Sequence, residues 1–388
     1  MISQSKRISS IKPYFFLNLQ NKIDQLNAQG MDVIRLDIGS PDLPPPAVVT
    51  DTLASVSQQP DVHGYIPTKG PDSYRQAVAN YYQKRFNVEL DPQTEINPLL
   101  GSKEGIINLH QIFVDPGDEV LLPDPGYPSY SFGAEYAGGI PVRYPLDAEN
   151  SFSVNIPAIE SLITKRTKIL WLNFPNNPTG SIITKDNLQQ LVNLAFKHQF
   201  LIVQDAPYTD VFFDDFQPPS IFSIPNAKEV AVEINSLSKT FHMAGWRMGM
   251  ICANAEVIKS IRTIKSKVDN STALPIFAAA TTALNMDRKW INDRNQILKK
   301  RRDLLVEYLQ QISPGFTIPP AGYYLWAKIP SSFSTDIEFC EQALENAGIS
   351  ITPGSIYGEN GNGYVRITIC QPEEIIRSAI SRLKNWYL

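Results

Sequence analysis

From about residue 95 to 255 the chain alternates short apolar runs with amphipathic stretches. The runs Glu119–Leu122, Lys168–Leu172, Leu201–Gln204, Val230–Ile234 and Gly249–Ala253 have the length of strands. Between the second and third, Leu188, Leu191, Val192, Ala195 and Phe196 recur at the spacing of one helix face. That predicts a buried stripe, with Thr184 as the N-cap. Strands alternating with such helices imply a mainly parallel sheet covered on both faces. Its ligand crevice is expected beyond the carboxyl ends of the strands.

The pattern changes towards the C-terminus. Tyr323–Ile329 and Tyr364–Ile369 predict strands of a smaller sheet. A last helix opens at Pro372-Glu373-Glu374 and is expected to bury Ile375, Ile376, Ala379, Ile380 and Leu383. Acidic residues at its start and Arg382 and Lys384 at its end suit the helix dipole. Pro41 and Pro44-Pro45-Pro46 separate the N-terminal segment from the rest of the chain. Residues before about 45 are expected to pack with the C-terminal part.

Composition narrows the class. A chain of 388 residues is long for a single core, and two domains are the natural expectation. Hydrophobic residues at 43%, charged residues at 19% and a net charge of −4 fit a soluble globular protein, and point to neither nucleic acid nor an anionic membrane. No apolar run approaches the length of a membrane span, and no apolar segment of a signal peptide follows Met1–Arg7. The run Lys299-Lys300-Arg301-Arg302 predicts a solvated helix face. Cys252, Cys340 and Cys370 are far apart, without metal-ligand spacing, which suits free thiols in a reducing cytoplasm.

The candidate chemistry gathers where strands end. Lys239 lies in Asn235-Ser236-Leu237-Ser238-Lys239-Thr240, with Arg247 eight residues on. A primary amine condenses with a carbonyl to form a Schiff base, while Ser236, Ser238 and Arg247 supply donors to a phosphate dianion. Pyridoxal phosphate needs both from one site. Gly101-Ser102-Lys103-Glu104-Gly105 reads as a flexible loop opening a helix, hence an anion site, although a glycine turn with a serine cap reads the same way.

Four further positions carry a second reading each. Tyr127, in Asp124-Pro125-Gly126-Tyr127-Pro128, can stack on a pyridine ring, or simply pack in a proline turn. Asn177, between Pro175 and Pro178, is a rigid amide in a good turn sequence. Asp205 closes a strand, where a carboxylate can keep a pyridine nitrogen protonated or cap a helix; Tyr208 lies three residues on. Arg366 falls on the inward face of an apolar strand, where a guanidinium needs an anion: a substrate carboxylate or a structural ion pair. Ser102, Tyr127, Asn177, Asp205 and Lys239 are all expected at the same edge of one sheet, and a shared site explains that better than coincidence.

These motifs, in this order, resemble the fold-type I pyridoxal-phosphate-dependent aminotransferases of the aspartate aminotransferase superfamily, class I/II, from about Leu36 to Arg366. The resemblance implies an α/β fold. Residues 46–285 would form a large cofactor-binding domain around a seven-stranded, mainly parallel sheet, and residues 1–45 with 286–388 a smaller α+β domain. It makes Lys239 the Schiff-base lysine and proton shuttle, Asp205 the partner of the pyridine nitrogen, and Asn177 and Tyr208 donors to the ring oxygen. Tyr127 becomes the stacking aromatic, and Ser102, the Lys103 backbone, Ser236, Ser238 and Arg247 the phosphate cup. Tyr65 would reach the phosphate of a neighbouring subunit, which implies a homodimer with shared sites. Gly39 and Arg366 would receive the substrate's α-carboxylate.

The implied reaction moves an amino group from an L-amino acid to a 2-oxo acid with ping-pong kinetics. Gly101–Gly105 and Gly361–Arg366 look most like the LL-diaminopimelate aminotransferase group, which adds Tyr14 and Lys103 as substrate-side candidates. Aspartate, alanine and aromatic or methionine-type donors stay open. So do a β-lyase or decarboxylase on the same scaffold and a non-catalytic regulator. Val268–Thr272 and Cys370 match no role.

Overall fold

The computed structural model describes residues 15–214, 216–313 and 315–387. A helix, Phe15–Ala28, leads into a two-residue strand β1 (Ile34–Arg35). Seven strands then form the central sheet: β2 (Ile96–Leu99), β3 (Glu119–Asp124), β4 (Ile140–Pro145), β5 (Thr167–Asn173), β6 (Leu201–Asp205), β7 (Ala231–Ser236) and β8 (Gly249–Cys252). Their order is β2-β8-β7-β6-β5-β3-β4. β4, β3, β5, β6 and β7 run parallel, while β8 is antiparallel to both β7 and β2. The carboxyl ends of β2, β3, β5, β6 and β7 therefore share one edge.

All five strands expected in this region form, each within two residues of its expected ends. The two the sequence did not offer, β2 and β4, are the two edge strands, and both carry proline. Pro98 lies inside β2, and Pro141 and Pro145 in β4. Proline cannot donate to a ladder, so it demotes a run in a sequence reading, yet an edge tolerates it.

The central strands are buried along nearly their whole length, and what alternates is the face each side chain enters. Ile169 and Trp171 join one apolar cluster, under the helices Ser102–Phe113 and Ala255–Val268, whereas Leu170 and Leu172 join the cluster on the opposite face. A period of two with both faces apolar is what a doubly covered sheet requires. The helix Lys185–His198 forms as expected, with Thr184 Oγ1 accepting from Asn187 N–H at 3.1 Å. Its stripe is narrower than expected. Leu188, Leu191, Val192 and Ala195 are buried, but Phe196 is 42% exposed. Leu194 is buried instead.

A third apolar cluster lies around a three-stranded antiparallel sheet. Its strands are β9 (Tyr324–Lys328), β11 (Thr352–Pro353) and β12 (Tyr364–Thr368), in the order β11-β12-β9. Next to it β10 (Ile349–Ser350) pairs parallel with β1, which brings Ile34 and Leu36 into that cluster. The last helix, Glu373–Tyr387, buries Ile376, Ala379 and Leu383, with Ile375 and Ile380 partly covered.

The basic run on the helix Lys289–Ile312 corrects the sequence reading. Arg301 and Arg302 are each only 4% exposed. Arg301 makes a two-pronged bond to Asp42 at 2.7 and 2.8 Å, and Arg302 bonds Asp214, Asp303 and the Pro319 carbonyl while lying over Phe213. Remote carboxylates, invisible to a local reading, make that burial tolerable. No helix among the described residues is long and apolar enough to cross a membrane.

Candidate active site

The strand ends open on a cavity of about 470 Å³. Its wall includes Gly39, Ser102, Lys103, Tyr127, Asn177, Asp205, Tyr208, Ser236, Ser238, Lys239, Arg247 and Arg366, twelve of the fourteen residues singled out from the sequence. Tyr65 is elsewhere, 92% exposed on the surface. Tyr14 lies outside the described residues.

Lys239 sits on a single helical turn, Leu237–Thr240, directly after β7. Ser236 caps this turn by accepting from Ser238 N–H at 3.1 Å. The Lys239 carbonyl accepts from Arg294 at 2.6 Å and Tyr323 at 2.9 Å, so the backbone of the lysine is held from behind. Its amine donates to the Gly39 carbonyl. Burial, with the Arg366 and Arg247 charges nearby, lowers its pKa to about 8. Gly39 has no room for a side chain, since a Cβ there would lie 2.0 Å from Tyr324 Oη.

Asp205 ends β6 and is buried. Its Oδ2 accepts from Tyr130 Oη at 2.7 Å, whereas Oδ1 has no partner among the described residues. Desolvation raises this carboxyl to about 7, against the opposing pull of the Tyr130 hydrogen bond. A half-satisfied carboxylate in a cavity wall is costly unless a donor or cation meets it. Tyr130 itself stacks on Trp171, with centroids 4.8 Å apart. Trp171 donates to His110 Nε2 at 3.1 Å, so His110 carries its proton on Nδ1, facing the Ile106 carbonyl. Burial pushes His110 down to about 4, which keeps it neutral in this packing.

At the opposite wall Arg366 lies on β12, 4% exposed. It bonds Asn177 Oδ1 at 3.0 Å and the Asp37 carbonyl, and its guanidinium lies 4.1 Å over the Tyr324 ring. Neither hydrogen-bond partner is a carboxylate, so two-pronged capacity remains for an anion. Tyr208 Oη donates to Tyr324 Oη at 3.1 Å.

The third wall is an anion cup. Gly101, at φ 78°, precedes the helix Ser102–Phe113, whose first residues line the cavity. Arg247 crosses this turn so closely that a Cβ on Gly101 would lie 2.2 Å from its Nη2. Ser236 and Ser238 hydroxyls lie 2.8 Å apart beside it. A helix N-terminus, three hydroxyls and a guanidinium form a donor set suited to a phosphate dianion.

An amine, an unpaired buried carboxylate oxygen and a phosphate cup around one cavity fit pyridoxal phosphate. Sequence reasoning did not find Tyr130, Asp37, Tyr324 or Tyr357, the last a cavity-wall ring 5.0 Å from the Arg366 guanidinium. Tyr130 sits three residues after Tyr127, on the helix Ser129–Ala137, and only the placement of Asp205 gives it a partner. The alternation along β9 is the one signal that could have turned attention to Tyr324.

The fold and this donor set define a pyridoxal-phosphate-dependent aminotransferase. The aminotransferase class I and II family model matches residues 31–383, and the chain belongs to that family. It is 40% identical over 382 residues to an LL-diaminopimelate aminotransferase of Dehalococcoides mccartyi, covering 98% of each chain. It is 38% identical to that of Aquifex aeolicus, with 99% of each covered. Among solved structures, apo-BacF from Bacillus subtilis superposes with a TM-score of 0.95 at 31% identity, covering 100% of this chain and 99% of that one. Thermus thermophilus aspartate aminotransferase (a single mutant) gives 0.93 at 29%, covering 99% and 100%.

Proposed function

We propose that this aminotransferase takes LL-diaminopimelate as amino donor and 2-oxoglutarate as acceptor, with Lys239 as its proton-transfer group. The relatives at 38–40% identity across nearly the whole chain support the donor. The exposed Lys103 amine at the cavity wall, over the Tyr127 ring at 5.8 Å, suits the second charged end of such a substrate. The observation that carries the catalytic reading is the pairing of two perturbed groups in one cavity: a buried amine near 8 and a buried carboxyl near 7.

When bound, pyridoxal phosphate supplies an aldehyde for covalent attachment and a ring that accepts electron density from the substrate's α-carbon. The protein's own groups do the rest. Lys239 Nζ, neutral above about pH 8, would take the α-proton of the bound amino acid and deliver it to the carbon that was the cofactor's carbonyl, so that the proton leaves Cα for good in that half-reaction. Asp205 would hold positive charge at the ring nitrogen, and Tyr208 and Asn177 would donate to the ring oxygen. Tyr127 would stack on the ring. Ser102, the Lys103 N–H, Ser236, Ser238 and Arg247 would hold the phosphate. Arg366, with Gly39 beside it, receives the α-carboxylate by a two-pronged bond that fixes the Cα–H direction.

We also read the protein as a cytoplasmic homodimer of two-domain chains, divided at 46–285 and at 1–45 with 286–388. The three free, buried cysteines suit a reducing compartment. Tyr65, exposed and away from its own cavity, suits a partner's phosphate. Mixing Tyr65→Phe chains with Lys239→Ala chains tests this. A shared site restores activity in the mixed species, and its absence there contradicts sharing. A donor–acceptor matrix on the purified protein tests the substrate. Turnover of LL-diaminopimelate with 2-oxoglutarate supports it; turnover of aspartate or aromatic donors alone overturns it and leaves the reaction class intact.

A further inference from the structure

Lys265, on the helix Ala255–Val268, is fully buried but does not line the cavity. Its ammonium bonds Glu104 Oε1, and Asp269 at 3.1 and 3.0 Å through both carboxylate oxygens. Glu104 Oε2 in turn accepts the backbone N–H of Leu100 at 2.6 Å, and its Oε1 also accepts from Asn108 Nδ2 at 3.1 Å. Leu100 immediately precedes the Gly101 turn, and its carbonyl accepts from Arg247 Nη2 at 3.3 Å. At the other end Asp269 Oδ1 accepts the N–H of Ser271 at 2.8 Å, where the backbone turns left-handed at φ 68°. One buried ammonium between two carboxylates thus ties the anion cup to the segment 268–272.

A buried lysine paired with two partly buried carboxylates gains little stability over apolar packing, so its contribution here is geometric: it fixes one arrangement of two loops. Leu100 N–H is bound to Glu104 and Leu100 C=O to Arg247, so the two peptide units that meet at Leu100, just before the Gly101 turn, are each held in one orientation. The next amides along the turn, and the guanidinium across it, inherit that direction. We propose that Lys265 is a positioning residue for phosphate recognition, acting through Glu104 on the Leu100–Ser102 turn and through Asp269 on the turn at Ser271. The proposal rests on Ser102, Ser236, Ser238 and Arg247 being the phosphate cup.

The test compares pyridoxal phosphate with pyridoxal, which lacks the phosphate, as ligands of the cofactor-free chain. Lys265→Met and Glu104→Gln are expected to weaken pyridoxal phosphate about tenfold while changing pyridoxal less than about twofold, and Lys265→Arg to recover most of the loss. Hydrogen exchange on the cofactor-free Glu104→Gln chain, the milder change should Lys265→Met not fold, is expected to quicken at residues 100–103 and 269–272 together. Arg247→Ala serves as the control for the cup. If it discriminates between the ligands while both network variants bind pyridoxal phosphate as the wild type does, or lose both ligands equally, the positioning role is overturned and the cup stands. If Arg247→Ala does not discriminate, the cup itself is wrong and the proposal falls with it.

Discussion

Tyr130 Oη donates to Asp205 Oδ2 at 2.7 Å, and the other oxygen of this cavity-lining carboxylate is buried without a partner among the described residues. The bond orients the carboxylate and lowers its pKa against a larger desolvation effect. Tyr130→Phe removes the donor and leaves the ring stacked on Trp171. The carboxyl then titrates higher, so the acidic limb of the pH–rate profile moves to higher pH. A hydrogen bond to a charged group is worth about 1.5–3 kcal/mol, so kcat/KM falls roughly tenfold to a hundredfold near neutrality. An unmoved limb would remove Tyr130 from this role.

Asp205 also sets a stability dependence in the cofactor-free chain. Its folded pKa, about 7, exceeds the ordinary 3.8, so the folded state binds more protons between those values. The contribution of this group to stability is therefore full below about pH 4 and lost as pH rises towards 7; Glu233, also raised to about 7 by burial, adds the same sign. Asp205→Asn removes one of the two contributions. At pH 8 the cofactor-free variant is expected to exceed the wild type in stability by about 2–4 kcal/mol, while binding the cofactor far more weakly. Urea unfolding at pH 5 and pH 8 measures it, and an equal difference at both pH values contradicts it.

The folded pKa of Lys239, about 8, governs cofactor capture. Only the neutral amine attacks a carbonyl, so at fixed pyridoxal phosphate the capture rate rises about tenfold per pH unit below 8 and levels above it. Stopped-flow absorbance tracks this directly. A rate still climbing steeply at pH 9.5 would mean an unperturbed lysine.

Arg366 holds its guanidinium over Tyr324 and against Asn177. Arg366→Lys keeps the charge but loses the fork, and kcat/KM should fall about thirtyfold or more for amino donor and oxo acid alike. The affinity for pyridoxal phosphate should change little, which equilibrium titration checks. A loss confined to the cofactor would reassign the residue.

Much of this site was legible because the chemistry sits where apolar runs stop. Asp205, Ser236 and Lys239 follow the apolar runs Leu201–Gln204 and Val230–Ile234, whose near-continuous burial marks strands covered on both faces, and parallel strands put their carboxyl ends together. Edge strands were hidden by Pro98, Pro141 and Pro145, which an edge permits and a central strand does not. The burial of Arg301 and Arg302 depends on Asp42 and Asp214, about 259 and 88 residues away in sequence. Tyr130 and Tyr324 gain their meaning only from the residues the fold sets beside them. No local pattern encodes such a pairing.

The covalent attachment of the cofactor at Lys239 is tested most directly by borohydride reduction of the holoenzyme, then proteolysis and mass mapping. The account predicts a single reduced cofactor adduct on the peptide containing Lys239, absent from the Lys239→Ala chain. An adduct on another lysine, or none in a chain that still transfers amino groups, would contradict it.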